Sequence, residues 1–367
     1  MLQGRALLDI KDLKIIRALD RYGPETTTKD LSKRLKIPPR TLRYRLSRMR
    51  EHKFLQPFRY STRERRIGLG ENIVVFDLSP SETPFPVEFF EKTPAVGWYA
   101  FTYGGMNGFL ANIVYPLENP TLNVGVFEKL KDAGLISDYT ILDLLSYPTK
   151  GWDFSKFGST GRWRWDWQKW YDRIDSILKN GDSDFVFESI EQTQIPFDSK
   201  DVHLIRMLHE NPNVTQKQMS LKLDLPISQV RRRFQRLQDS GVILGYKPIF
   251  TPFKDTLTLI CIIESVSSVD QILTCMYELP YTLDIYVESS TRVGIRIRLS
   301  TTDIAGFFRG LDKIRHLADS LSIQILHNIV SFGSLRLYDL YCASENKWIT
   351  HSSSYYDWLE NWLSATC

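Results

Sequence analysis

Cysteine is scarce and poorly placed for covalent or metal chemistry. Cys261, Cys275, Cys342 and Cys367 form no Cys-x-x-Cys pair, so neither a disulfide framework nor a zinc site is expected. Cys261 lies in an apolar run and reads as a small core residue. No apolar stretch approaches the roughly 18–20 residues of a membrane span. The N-terminus has no signal-peptide pattern, so a soluble, cytoplasmic protein is expected. Neither a phosphate-binding glycine loop nor a Gly-x-Ser-x-Gly elbow occurs. The six histidines are scattered. His203 and His209 are six apart and do not share a helix face at metal-ligand spacing. Each histidine reads as a surface or satisfied core residue. Hence no catalytic residue, cofactor or metal is expected.

What the chain does have is a long internal repeat. Residues 8–55 and 197–243 align, Asp9 with Asp198 and Leu19 with Leu208. After a one-residue gap, Leu35 pairs with Leu223, Pro38 with Pro226, Arg43 with Arg231 and Arg48 with Arg236. A period of about 190 residues is too long for a solenoid and marks a domain-scale duplication. Basic charge follows the repeat. Residues 1–66 hold 19 Lys/Arg against 7 Asp/Glu, and residues 198–254 hold 10 against 5, in a chain whose net charge is only +4. The remainder is therefore acidic, and a polyanion would bind at the repeated segments. A hydrophobic content of 43% with 13% aromatics suits packed globular domains.

Within each repeat the pattern is three helices. In copy one they are expected over 10–20, 28–35 and 39–52, with GPETTT and Ile37-Pro38 as breaks. The third helix is amphipathic. Leu42, Leu46 and Met49 share one face, and Arg40, Arg43, Tyr44 and Ser47 the other. In copy two Val230, Phe234 and Leu237 oppose Ser228, Arg231, Arg232 and Gln235, on a helix over 227–239. This is the layout of a helix–turn–helix whose third helix enters the major groove of double-stranded DNA. Arginines there either read guanine edges or clamp phosphates. The expected DNA-binding set also includes Arg45 and Arg48 on the first helix, and Arg233 and Arg236 on the second. FRYSTRERRIGL reads as a basic hairpin wing, adding Arg59, Arg63, Arg65 and Arg66. Because 245–254 offers only Lys247 and Lys254, copy one is expected to bind more tightly.

Each repeat then runs strand, helix, strand, strand, helix, strand. Copy one places strands at 72–79, 95–103, 109–116 and 135–147; copy two places them at 256–265, 282–290, 293–300 and 321–332. The expected fold class is α+β: two copies of a winged helix–turn–helix followed by a ferredoxin-like β-α-β-β-α-β domain.

This order resembles the Lrp/AsnC family of feast/famine transcription regulators. Copy two carries the resemblance in LPISQVRRRFQRLQDSGVILGY (225–246), where Val230, Arg233, Phe234, Arg236 and Leu237, then Gly241, Val242, Ile243, Gly245 and Tyr246, match the recurring pattern. Copy one fits more loosely, with Leu42, Arg45, Leu46, Arg48 and Met49. The resemblance implies a sequence-specific DNA-binding regulator in which one chain stands for a dimer, with further homo-oligomers open and an archaeal source suited to the architecture. It also implies an effector site at the glycine-rich turn of copy one, Gly104, Gly105, Asn107 and Gly108. STRVG (290–294) in copy two lacks that pattern.

The expected division is winged helix–turn–helix 1 (1–70), ferredoxin-like domain 1 (71–150), a Trp-rich helical linker (151–195), winged helix–turn–helix 2 (196–254), ferredoxin-like domain 2 (255–340) and an aromatic C-terminal helix (341–367). In the linker, Trp163, Trp167, Trp170, Ile174 and Ile177 recur at helical spacing. In the tail, Tyr355, Trp358, Leu359 and Trp362 do. Packing inside the fold is the first reading of both. Stacking on single-stranded nucleic acid and a surface for a protein partner are the others.

Two further readings stay open. RRIGLGENIVVF (65–76) is similar to the stretch entering the first strand of siroheme decarboxylases, which implies a tetrapyrrole enzyme. The His-rich and Tyr-Asn-rich pocket segments of that family have no clear counterpart near 95–115 or 282–300. The other reading is an interaction scaffold with silent winged helices.

Overall fold

Both halves begin with the same local device. Asp9 accepts hydrogen bonds from the Lys11 and Asp12 amides, and Asp12 accepts from the Asp9 amide in return. Asp198 and Asp201 repeat this reciprocal cap. Each satisfies amides that a helix start leaves without partners. The first cap opens α1 (Ile10–Tyr22), followed by α2 (Thr28–Leu35) and α3 (Pro39–Glu51). The computed structural model describes residues 8–23, 26–56, 59–80, 85–158, 163–187, 194–247, 250–253, 255–332 and 336–349, with Asp357, Glu360, Asn361 and Ser364 beyond them. The C-terminal aromatic stripe expected at Tyr355, Trp358, Leu359 and Trp362 lies outside the described residues.

After α3 come β1 (Arg59–Thr62), a short 3-10 turn, β2 (Leu69–Leu78), α4 (Glu88–Lys92), β3 (Val96–Gly104), β4 (Gly108–Pro116), α5 (Leu122–Asp132), β5 (Ile136–Asp143) and β6 (Thr149–Lys150). The linker forms α6 (Trp167–Asn180). Copy two follows as α7 (Ser199–Glu210), α8 (Gln216–Leu223), α9 (Ile227–Asp239), β7 (Ile243–Lys247), β8 (Thr256–Glu264), α10 (Asp270–Tyr277), β9 (Leu283–Val287), β10 (Arg292–Ser300), α11 (Ile304–Ile314) and β11 (Ser320–Ser331). A small hairpin, β12 (Tyr341–Cys342) with β13 (Lys347–Trp348), ends the described run.

The strand order is β5-β2-β4-β3-β11-β8-β10-β9-β6. Each half has the ferredoxin-like order, and the two join edge to edge through antiparallel β3 and β11. A second seam forms where the chain leaving β5 pairs with β9, through Leu145 N–H to the Val287 carbonyl at 2.7 Å and Val287 N–H to that of Ser146 at 3.0 Å. The two half-sheets also meet face to face. Ile73, Val75, Ala100, Leu110 and Leu142 pack with Ile260, Ile262, Tyr286 and Leu326 in one cluster. Their outer faces carry the helices. The expected sheet-to-sheet pairing is therefore present, with two edge seams added that remove most of the exposed strand edge.

The halves are also crossed. The copy-one helix–turn–helix shares an apolar cluster with β8, α10 and β10 of copy two: Leu13, Leu42 and Met49 belong to it with Leu259, Leu273 and Ile295. The copy-two helix–turn–helix, through Leu204, Val230 and Leu237, clusters with Val74, Phe76 and Phe127 of copy one.

The linker helix does not lie over the seam. It packs on the helix layer of copy two. Trp170 donates from Nε1 to the Cys275 carbonyl at 2.9 Å and stacks on Phe307 at 6.3 Å between ring centres. Gly306 and Gly310 of α11 make room for it: a Cβ on Gly310 would stand 1.8 Å from the Trp170 ring. Trp170, Ile174 and Ile177 are buried, so the face offered to a nucleic acid or a partner protein is consumed inside the chain. Trp163 lies before the helix, bridged to Phe157.

Candidate nucleic-acid interface

Pro38 and Pro226 sit at the N-caps of α3 and α9. A proline just outside the first turn costs no helix hydrogen bond and stops the preceding helix from running on. The residues that end α2 and α8, Lys36 and Asp224, both take the left-handed conformation, at φ of 53° and 50°. The turn is thus the same in both copies.

The outward faces agree with expectation. Arg40, Arg43, Tyr44 and Ser47 are exposed on α3, and Ser228, Arg231, Arg232 and Gln235 on α9. Tyr44 is 66% exposed, far more than a folding role would leave a tyrosine. Ser47 donates to Glu51 at 3.0 Å and Gln235 to Asp239 at 2.8 Å, which orients both along their helices.

Four arginines are corrected. Arg45 bonds Asp9 at 2.7 Å and Asp12 at 2.9 Å, and Arg48 bonds the other Asp12 oxygen. Arg233 bonds Asp198 at 2.8 Å and Asp201 at 2.9 Å, and Arg236 bonds Asp201. Asp12 and Asp201 are buried. Burying a carboxylate is costly unless cations and N–H donors surround it. These arginines fasten the third helix to the first instead of presenting themselves to DNA. Burial raises the carboxyl pKa of Asp9 and Asp198, but the guanidinium and helix-start amides outweigh it and hold both below the usual range. The signal was in the repeat itself: Asp-x-Lys-Asp stands at 9–12 and at 198–201.

The wing is corrected too. Residues 59–66 make no hairpin of their own. β1 pairs with β7 of the other copy, Arg59 opposite Lys247 and Thr62 opposite Ile243. Arg65 turns inward toward Tyr115 at 3.4 Å and Asp143 at 3.5 Å. Arg66 is half-buried, while Arg63 remains exposed. The post-helix strands of the two copies thus tie each other down, and the wing-based reason for tighter binding by copy one falls away.

The glycine-rich turn is explained by packing. A Cβ on Gly104 would stand 2.1 Å from the Ile323 carbonyl, and one on Gly108 2.4 Å from that of Phe76. Gly104 also has a φ of 143°, which favours glycine. The Gly105 amide donates to the Ile323 carbonyl at 3.2 Å, and the Asn107 side chain accepts from the Gly104 amide at 3.3 Å. Gly104 and Gly105 let β11 approach, and Gly108 lets β4 lie close to β2.

His209 is satisfied as expected, 2.9 Å from the Thr62 hydroxyl and 3.5 Å from Glu64. No group of three or more metal-capable side chains occurs among the described residues. No described helix is long and apolar enough to cross a membrane.

The winged helix–turn–helix DNA-binding family model matches residues 8–53 and 197–243. The chain carries two such units. Both stand where the structure places α1–α3 and α7–α9. The chain is 25% identical over 138 residues to an uncharacterised HTH-type transcriptional regulator of Pyrococcus horikoshii, covering 36% of this chain and 84% of that protein. Among solved structures it is similar to the siroheme decarboxylase NirDL in complex with an iron-uroporphyrin III analogue, with a TM-score of 0.52 at 10% identity over 97% of this chain and 100% of the other. That likeness is one of fold. AsnC of E. coli matches 38% of this chain at 18% identity, with a TM-score of 0.32.

Proposed function

We propose that the protein is a sequence-specific, double-stranded-DNA-binding transcription regulator of Lrp/AsnC type, in which one chain does the work of a dimer. The observation that carries this reading is the division of labour among the arginines. In both copies, one pair is spent clamping the third helix to the first. Arg40 and Arg43, or Arg231 and Arg232, are left outward beside Tyr44 and Ser47 or Ser228 and Gln235. A fold needs the first pair; it has no use for the second. Exposed arginines beside hydrogen-bonding side chains on a helix of this kind suit guanine edges and phosphates. Direct measurement of duplex affinity against salt tests it. Log affinity should fall with log salt by about 0.9 for each phosphate neutralised. A flat dependence, or no duplex binding in low salt, refutes the reading.

The whole-chain fold likeness to NirDL favours a second reading, a tetrapyrrole enzyme. Two of the three inward-facing arginines on β10 argue against it, since carboxylate-bearing rings call for free cations; the third, Arg298, donates to the Thr251 hydroxyl at 3.2 Å. Arg292 is held by Glu264 at 2.6 Å and Glu288 at 2.7 Å, and Arg296 by Asp284 at 2.6 Å. Titration with siroheme decides it: a saturable visible absorption band revives the enzyme, and its absence leaves the regulator.

A further inference from the structure

The two recognition helices differ at their first residue, in the part where such helices meet base edges. In α9 that residue is Ile227, 49% exposed. The core of its own unit is filled without it, by Met219, Leu223, Val230 and Leu237. Leu221 on α8 is 75% exposed, a second large apolar side chain left in water by the same unit. In copy one the aligned positions are Pro39 and Lys33. Exposed Ser228 and Gln229 follow Ile227 directly.

The major groove displays one apolar feature, the C5-methyl of thymine, and glutamine fits the paired adenine edge. Arg43 and Arg231 are common to both helices, but copy one has Arg40, suited to guanine, where copy two has Ser228. We infer that Ile227 reads thymine methyl groups, so that α9 selects an adenine–thymine-rich half-site and α3 a guanine-bearing one. This rests on the DNA-binding reading of the same helices. The unlike halves follow from chemistry at one position, independent of how the halves are spaced.

The test uses the full chain and an alternating adenine–thymine duplex of roughly 40 base pairs, long enough for two half-sites. A matched duplex carries uracil for thymine and so lacks only the methyl groups, and an alternating guanine–cytosine duplex is the third probe. Burying one methyl corresponds to about a fourfold gain in affinity. The chain should therefore prefer thymine over uracil by at least that factor. In Ile227→Ala the preference should collapse to about onefold, with an unchanged melting temperature because the side chain is exposed. Arg43→Ala should weaken binding to all three probes and keep the preference. Equal affinity for thymine and uracil duplexes, or a preference that survives Ile227→Ala, overturns the inference while salt-dependent binding to any probe keeps the regulator. Absence of salt-dependent binding to all three overturns the regulator and this inference with it.

Discussion

Replacing Asp201 with alanine should destabilise the second helix–turn–helix by about 3 kcal/mol, because the arginine clamp turns on one buried carboxylate. Asp201 is 1% exposed in its side chain and accepts from Arg233 at 2.9 Å, from Arg236, and from the Asp198 amide at 3.1 Å. Hydrogen bonds to a charged group net about 1.5–3 kcal/mol each. The full sum is not lost, since Arg233 and Arg236 are 23% and 46% exposed and recover water when freed. Asp12→Ala should cost more, about 4 kcal/mol, because Arg45 and Arg48 are more enclosed, at 15% and 30%. Asp198→Ala, at a carboxylate 46% exposed, should cost only about 1 kcal/mol, the worth of a helix cap. Urea unfolding of the full chain followed by far-ultraviolet circular dichroism measures all three. The double variant Asp201→Ala with Arg236→Ala should be less destabilised than the sum of its parts, since each removes the same contact. A loss below about 1 kcal/mol for Asp201→Ala, or a larger loss for Asp198→Ala, refutes the reasoning.

The clamp also sets an acid response: the depressed pKa values of Asp9 and Asp198 add stability above the ordinary aspartate range, lost as pH falls through the lower folded values. Melting between pH 2 and 5 should show this, and Asp9→Asn with Asp198→Asn should flatten it. Glu71 runs the other way. Burial first, then the nearby charge of Glu64, raise its carboxyl to about 7, against the hydrogen bond from Asn112 at 2.6 Å. A carboxyl raised on folding favours the native state below its unfolded pKa and loses that contribution as pH rises toward 7. Glu71→Gln should therefore melt higher than the parent at pH 8 and equal it at pH 4. Gly310→Ala should destabilise by about 1–3 kcal/mol in thermal unfolding, because the new methyl must displace the Trp170 ring.

Much of the fold was legible because its signals are periodic and local. The three helices at 10–20, 28–35 and 39–52, the helix at 227–239 and all eight ferredoxin-like strands fall within a few residues of where the pattern puts them. The crossing of the copies was not legible. Alternation on β1 and β7 says that a strand follows each third helix; it does not say whose strand it pairs with. The arginines divided on a similar point. Arg43 and Arg45 are two residues apart on one helix, and the periodicity separates their faces by about 200°. Which of them is spent depends on Asp12, which only the tertiary contact brings near. The glycine-rich turn is ambiguous in sequence because close approach of a strand and close approach of a ligand both call for glycine.

Fusion of the copies changes what the two helix–turn–helix units can do. In a dimer of identical subunits any change in the recognition helix appears in both readers, so the two half-sites must stay alike. In this chain Ile227 and Pro39 occupy matched positions, as do Arg232 and Tyr44. Meanwhile the parts that hold the readers, the paired Asp-Asp caps and their arginines, are kept the same. The crossed cores couple the readers further. Each helix–turn–helix belongs to one apolar cluster with elements of the other half. Matched mounts with unlike faces are what the proposed reader of two unlike half-sites requires. The β1–β7 pairing, placed directly after α3 and α9, ties the two units to each other.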